Sequence, residues 1–188
     1  MRRLYRGQLL PPGLCQRRSR IWWGNRPAMS HASQFQNRYR IASARCPAWD
    51  YTAPGVYLVT WCTARRAPVL GRIDPTGVVC LSPLGVLVDA TVGALPVRRR
   101  GVAVDAGVVM PDHVHLCLSL GEGAPPLAVV VTEIKATVTR CARRMALWDA
   151  SPLWQARYHD RIIRTSREWM RARRYIAENP IRCRHDAR

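Results

Sequence analysis

A chain of 188 residues is long enough to bury one hydrophobic core, and a composition that is 48% hydrophobic excludes wholesale disorder. No apolar run reaches the roughly 18 residues of a membrane span, and the basic N-terminus lacks the apolar stretch of a signal peptide. The net charge of +18 favours a polyanionic partner, with nucleic acid ahead of an anionic membrane.

The cysteines and the basic residues narrow the class further. Seven cysteines, an odd number without a C-x-x-C pair, predict neither a disulfide framework nor a cysteine zinc site. We expect reduced, mostly buried thiols in a cytoplasmic bacterial protein that works at the nucleoid and has no membrane partner. Arginine supplies every basic charge except that of Lys135, and a GC-rich genome alone produces such a bias. Only the charge itself is therefore informative.

Residues 1–37 differ from the rest of the chain. They carry Arg-Arg, Pro-Pro and Trp-Trp pairs with little periodicity, and we predict that they form a basic, disordered arm. The alternative is that translation starts at Met29 and that the preceding residues do not belong to the protein. Residues 38–188 are predicted to form one domain.

The first half of this domain shows strand, hairpin and helix signals in turn. Val56–Thr63 is rich in β-branched and aromatic residues, which predicts a strand. Val69–Ile73 and Gly77–Leu81 flank an Asp-Pro-Thr-Gly turn and predict a hairpin. A helix is predicted from Ser82 to Ala94, with Ser82 as its N-cap and a proline in its first position.

The second half carries longer elements. The sequence predicts strands at Val102–Val109 and His113–Leu120, a helix at Leu127–Leu147, a short strand at Arg161–Arg164, and a last helix from Ser166 to about Glu178 that Pro180 ends. Hairpins with inserted helices predict an α+β fold, in which helices cover an antiparallel sheet on one side.

Two histidines in the predicted strand His113–Leu120 are the most informative feature. Side chains alternate along a strand, so His113 and His115 point to one face while Val114 points into the core. Two adjacent imidazoles form half of a metal site, although such a pair by itself is more often structural. The other half has to come from elsewhere in the chain.

The last helix offers a complementary cluster. Its start, Thr165–Glu168, fits a capping box. Tyr175 and Asn179 are four residues apart and project from one face, with Arg171 one turn earlier. Two imidazoles and the Asn179 amide oxygen supply three ligands, a set that suits Mg²⁺ or Mn²⁺ and leans towards Mn²⁺. Tyr175 is then the candidate nucleophile for attack on a phosphate.

Other chemically active residues in this region are weaker candidates. Tyr158 competes as nucleophile because it also lies in a basic, tryptophan-flanked segment, but it has no ligand partner at helical spacing. His159 and Asp160 could act in acid–base catalysis, and we favour a structural role for both. His31 and His185 have no evident role.

Four segments together resemble a known family. They read WDYTAPGVYLVTWCTARRAPVLG, VVMPDHVHLCL, LWQARYHDRIIRTSREW and RRYIAENPIR. In this order and spacing they resemble the single-tyrosine transposases of the HUH superfamily, named for histidine, hydrophobic residue, histidine. The resemblance is to the REP-associated branch of the insertion-sequence-200 type, and it covers residues 38–186.

The resemblance implies a ferredoxin-like HUH fold and a metal-dependent transposase, a single-strand DNA endonuclease. Such enzymes cleave and rejoin DNA through a 5′-phosphotyrosine intermediate, recognise hairpins in single-stranded DNA and work as homodimers. His113 and His115 would be metal ligands and Tyr175 the catalytic tyrosine. Asn179 would be the third ligand, at a position where relatives often carry glutamine.

DNA contacts are expected from basic residues on and next to the two long helices. The resemblance implies a contact by Lys135, and the net charge favours phosphate contacts by Arg140, Arg164, Arg171 and Arg174. Two alternatives stay open. One is a non-catalytic module on the same fold that binds single-stranded nucleic acid. The other is an HUH nicking enzyme for replication or plasmid transfer, which the small size and the Tyr-Ile-x-x-Asn-Pro ending disfavour.

Overall fold

The computed structural model describes Trp22–Trp23, residues 49–149 and residues 152–185, and it contains both strands and helices. The strands are β1 (Trp22–Trp23), β2 (Gly55–Cys62), β3 (Gly71–Ile73), β4 (Val79–Leu81), β5 (Val102–Val109), β6 (His113–Leu120) and β7 (His159–Ile163). The helices are α1 (Pro83–Gly93), α2 (Leu95–Arg98), α3 (Leu127–Arg144) and α4 (Ser166–His185). Within these described ranges, none of the helices combines the length and hydropathy that a membrane span requires.

One antiparallel sheet organises the domain. Its strands lie in the order β1-β5-β6-β2-β7, and β3 pairs with β4 in a separate hairpin. Apart from β1, the hairpin and the short α2, the chain order β2-α1-β5-β6-α3-β7 is the βαββαβ arrangement of ferredoxin-like folds. The α+β class and the antiparallel sheet predicted from the sequence are confirmed.

The two faces of the sheet carry different side chains because residues alternate along β2 and β6. On one face Trp61 pairs across the strands with Val114, and both are fully buried. Trp61 meets Trp154 edge to face, and the Trp154 indole donates to a carbonyl of α3. This face is therefore covered by α3 and by α1, which packs against α3. On the opposite face His113 and His115 lie against α4.

Helices thus cover both faces of the sheet, whereas the sequence predicted cover on one side. The prediction holds for α1 and α3, the two connections of the βαββαβ unit. The exception is α4, which follows the edge strand β7 and folds back across the other face. There its apolar residues Trp169, Ala172 and Ile176 are buried, as their helical spacing predicts.

The local signals at α1 and at the hairpin act as predicted. The Ser82 hydroxyl accepts the Gly85 N–H at 3.1 Å and so caps α1. In the turn between β3 and β4, Asp74 Oδ1 accepts the backbone N–H groups of Thr76 and Val78 at 2.8 and 2.9 Å. A side chain that binds its own turn in this way fixes the hairpin locally.

The end of α4 contradicts the sequence prediction. Pro180 does not end the helix, which continues to His185. A proline inside a helix removes one hydrogen bond and crowds the preceding turn. Here the proline is buried, and the Cys183 thiol donates to Asn179 Oδ1 at 3.6 Å across it. The contact holds the next helical turn in place and also restrains Asn179.

The predicted N-terminal arm lies almost entirely outside the described residues. The exception is Trp22–Trp23, whose backbone pairs with β5 at Ala106 and Gly107. Met29 and His31 are among the residues that the structure does not describe.

Candidate active site

The two histidines of β6 lie at the beginning of the strand, next to the turn from β5. The Met110 N–H donates to the His113 carbonyl at 2.8 Å and closes that turn. The pairing of β2 with β6 sets Thr60 directly opposite His115. Both imidazoles are buried, with exposures of 7% for His113 and 4% for His115. The strand register therefore fixes the position of both rings.

One nitrogen of each imidazole is held by a neighbouring side chain. His113 Nδ1 lies 2.5 Å from Asp112 Oδ1, and His115 Nδ1 lies 2.6 Å from the Thr60 hydroxyl. In a neutral ring, a carboxylate beside Nδ1 favours the tautomer with the proton on that nitrogen and the lone pair on Nε2. Arg66 contacts the other Asp112 oxygen at 3.3 Å. Both rings therefore have a fixed orientation.

Helix α4 brings Tyr175 and Asn179 to the same point. The Tyr175 hydroxyl lies 3.5 Å from His115 Nε2, and the two rings meet edge to face with centroids 5.1 Å apart. The Asn179 amide lies 3.4 Å from His113 Nε2 through Oδ1 and 3.2 Å from His115 Nε2 through Nδ2. The i,i+4 spacing on one helix face thus places both side chains at the histidines of the same chain.

The donor atoms of this cluster fit a divalent metal ion. With the proton on its Nδ1, His113 presents an Nε2 lone pair to Asn179 Oδ1, which is also an acceptor. Two acceptors that face each other in a buried site repel, and a cation between them removes that repulsion. Among the described residues, no three His, Cys, Asp or Glu side chains group so as to hold a metal, and the third donor beside the two histidines is the amide of Asn179.

The protonation state of His115 agrees with this interpretation. Burial, with a smaller contribution from neighbouring His113, lowers the pKa of His115 from 6.5 to about 3. The ring is therefore neutral near pH 7, which is the form that binds a metal.

Three of the basic residues predicted to contact DNA lie on or next to α4. Arg171 lines a cleft together with Tyr175. Arg174 lies one residue before Tyr175, and its Nε is 3.8 Å from Glu178 Oε1. Arg164 precedes α4, and its guanidinium stacks over the Trp49 ring at 5.6 Å. Of the three, Arg171 is thus the one that the structure places beside the tyrosine.

Lys135 and Arg140 lie instead in a basic groove along α3. Its volume is about 650 Å³, and Arg143, Arg144 and Trp154 also line it. Lys135 Nζ donates to the Gln155 carbonyl at 2.7 Å, and burial lowers its pKa. Because α3 covers the sheet face opposite to α4, this groove is separated from Tyr175 by the sheet.

A buried carboxylate helps to hold α4 against the sheet. Asp105, at a bulge in β5, is 1% exposed, and its Oδ2 lies 3.9 Å from Arg173 Nε. The Arg173 guanidinium stacks over the Trp169 ring at 4.5 Å. Burial raises the pKa of Asp105, and Arg173 opposes that rise. The pair links the sheet to the helix two residues before Tyr175.

Comparison with known proteins gives this cluster a context. Residues 95–179 match the family model of the IS200-like transposases. The match covers less than half of the chain, and it shows that this segment resembles the IS200-like transposase domain. The matched segment contains His113, His115 and Tyr175 and ends at Asn179, and the match supports a transposase function.

Two further proteins are similar to this domain and its flanks. An uncharacterised protein of Haemophilus influenzae is 26% identical over 160 residues, which cover 74% of this chain and 87% of the relative. The solved structure of a REP-associated tyrosine transposase bound to a REP hairpin superposes with a TM-score of 0.55 at 21% identity. That superposition covers 80% of this chain and 74% of the other, and it shows that the two share a fold.

Sequence reasoning missed several residues of the candidate site. Thr60 and Cys183 contact the candidate ligands His115 and Asn179, but neither belongs to a recognisable motif. Asp112, directly before His113, was the one with a usable signal, because an acidic residue next to a metal-binding histidine often orients it. Tyr158, the competing nucleophile, packs against the hydrophobic core rather than at the histidines.

Proposed function

We propose that this chain is a metal-dependent transposase that cleaves and rejoins single-stranded DNA through a 5′-phosphotyrosine at Tyr175. The observation that carries the proposal is the Tyr175 hydroxyl, 3.5 Å from His115 Nε2, at a cluster that Asn179 completes. Tyr175 is also 37% exposed, so a DNA strand can reach it while the ligands stay buried.

In the reaction, the Tyr175 phenolic oxygen attacks a backbone phosphorus and the bond from phosphorus to the 3′ oxygen breaks. The phenol gives up its proton and the leaving 3′ oxygen gains one, so a free 3′-hydroxyl remains beside the phosphotyrosine. Attack by a 3′-hydroxyl reverses the step and rejoins the strand. The phosphotyrosine ester keeps the energy of the phosphodiester bond that it replaces, so the strand can be rejoined without another energy source.

His113, His115 and Asn179 would hold Mg²⁺ or Mn²⁺, which when bound supplies a Lewis acid for a phosphate oxygen. Asp112 and Thr60 orient the two imidazoles through Nδ1. The phenol needs such help, because a free tyrosine with a pKa of about 10 is a weak nucleophile at neutral pH.

The partner that we propose is a hairpin in single-stranded DNA with REP-like sequence, bound at the nucleoid by a homodimer. The groove along α3 supports DNA binding, because Lys135, Arg140, Arg143 and Arg144 line it together with Trp154. The structural neighbour bound to a REP hairpin has the same fold. Light scattering of the purified protein, with and without hairpin DNA, tests the dimer.

The deciding experiment uses a pool of labelled hairpin oligonucleotides with randomised single-stranded flanks, incubated with protein and Mg²⁺ or Mn²⁺. We expect a covalent adduct that survives denaturation and needs the metal. Tyr175→Phe should abolish it, whereas the matched control Tyr158→Phe should keep it. An adduct that persists in Tyr175→Phe would show that another residue is the nucleophile. DNA binding without any adduct supports the alternative, a non-catalytic module that uses the basic groove.

A further inference from the structure

A cleft of about 310 Å³ opens next to Tyr175, between the edge of the sheet and the first turns of α4. Its apolar floor is formed by the buried Ile163 and Ala172 and the half-buried Leu58, and its rim by the exposed Arg161 and Arg171. Its volume lies at the lower end of the roughly 300–1,000 Å³ of small-ligand sites. The cleft is therefore large enough for a small flat group, and it is separate from the groove along α3.

The strand register explains why these side chains meet. Leu58 pairs across the strands with Arg161, and Thr60 lies two residues further along β2 on the same face. Thr60 contacts His115, so the cleft and the histidine cluster share one face of the sheet. A group in the cleft would adjoin the atoms that surround the Tyr175 hydroxyl.

The charged side chains of the cleft differ in the contacts that they already make within the protein. Glu168 accepts the Arg164 N–H at 2.8 Å, and its other oxygen lies 3.7 Å from Arg161 Nη2. The carboxylate is thus used by the start of α4 and by one arginine of the rim. Arg171, exposed and one turn before Tyr175 on the same face of α4, lines the cleft together with the tyrosine.

An apolar floor beside a cationic rim matches the two parts of an unpaired nucleotide. Unstacked bases bind proteins on apolar, aromatic and guanidinium surfaces, while arginines hold the backbone. We infer that this cleft is a subsite for one unpaired nucleotide adjacent to the phosphate that Tyr175 attacks. The base lies on Leu58 and Ile163, and Arg171 contacts the backbone. The inference rests on the proposed function and names the part of the DNA that this site reads.

The test starts from an oligonucleotide that the wild-type protein cleaves, recovered from the randomised pool. Two derivatives carry an abasic sugar at one or the other nucleotide that flanks the scissile phosphate. We expect one of the two to slow adduct formation by about threefold to tenfold, the low end of what a base stacked on an aromatic ring contributes, because the floor of this cleft is aliphatic. If neither abasic site slows the wild-type enzyme, the subsite does not exist.

A cleft-filling variant gives the complementary result. Leu58→Trp should form the adduct slowly on intact DNA and faster on the abasic DNA, because the indole occupies the place of the base. Val97→Trp adds an indole at a position that is 91% exposed and should behave like wild type on both. A Leu58→Trp rate that drops equally on both substrates overturns the inference. Absence of any wild-type adduct overturns the proposed function as well.

Discussion

The Thr60 hydroxyl lies 2.6 Å from Nδ1 of His115 and joins strand β2 to the candidate metal site. The two residues are directly opposite each other in the β2–β6 register. The contact fixes the His115 ring so that its Nε2 faces Asn179 and Tyr175. A histidine ligand needs a fixed ring orientation. We therefore expect Thr60 to affect metal affinity without contacting the metal.

Thr60→Val keeps the shape of the side chain and removes the hydroxyl. We expect Mn²⁺ binding to weaken by about 10–100-fold, the usual effect of losing such a supporting contact. Calorimetric titration of the purified variant measures this. Thr91→Val, which removes a hydroxyl bonded within α1 to the Leu87 carbonyl, is the control and should bind like wild type. Equal affinities for Thr60→Val and wild type would remove Thr60 from the site.

Asn179 offers a direct test of the third ligand. Asn179→Gln keeps an amide oxygen and should retain metal binding and adduct formation to within about tenfold. Asn179→Leu is similar in volume but has no donor, and both activities should fall by about 100-fold. The comparison isolates the amide from its packing, because both variants keep a buried side chain at this position. A leucine variant that matches the glutamine variant in metal affinity would exclude Asn179 as a ligand.

Val114 lies between the two histidines and faces the opposite side of the strand, where it is fully buried. Val114→Asp places an unpaired carboxylate in the core and should lower the free energy of unfolding by about 4 kcal/mol or more, with loss of the metal site. Urea denaturation measures the loss. Ser119→Asp, on the same strand at a partly exposed position, is the control and should stay folded. Metal binding that survives Val114→Asp would contradict the alternation of β6.

The basic groove along α3 predicts a salt effect on DNA binding. Arg140→Ala should weaken hairpin binding for all sequences alike and reduce the slope of log Kd against log salt concentration by about one, as expected for one lost phosphate contact. Fluorescence anisotropy at several salt concentrations measures the slope. Arg98→Ala, at an exposed arginine at the end of α2, is the control. An unchanged slope in Arg140→Ala would show that Arg140 makes no contact with a DNA phosphate.

Local patterns predicted those parts of the fold that local physics decides. Strands β5 and β6 have the predicted bounds because alternating and β-branched runs leave little choice of conformation. The meeting of His113 with Asn179, 66 residues apart, followed from matching ligand chemistry and from family motifs. The side of the sheet that α4 covers could not be predicted, because it depends on how the chain turns after β7. The prediction that α4 ends at Pro180 was wrong for a similar reason. Burial of the proline in the tertiary structure outweighed the local tendency of proline to end a helix.

Asp105 predicts how stability depends on pH. Burial raises its pKa above the ordinary value of 3.8, and Arg173 only opposes that rise. A carboxyl with a higher pKa in the folded state binds its proton more tightly there, so it lowers stability as pH rises above the unfolded value. Asp105→Asn removes this effect. Relative to wild type, the variant should therefore gain free energy of unfolding between about pH 4 and about pH 7.

Urea denaturation at both pH values measures that difference, and an exposed aspartate gives a control of opposite sign. Hydrogen bonds from Thr52 lower the pKa of Asp50, so its contribution to stability is present at neutral pH and is lost as the pH falls. Asp50→Asn should therefore lose stability relative to wild type as pH rises over the same range. If Asp105→Asn shows the slope of Asp50→Asn, the attraction of Arg173 exceeds the cost of burial. The Asp105–Arg173 pair would then stabilise, at neutral pH, the packing against the sheet of α4, which carries Tyr175.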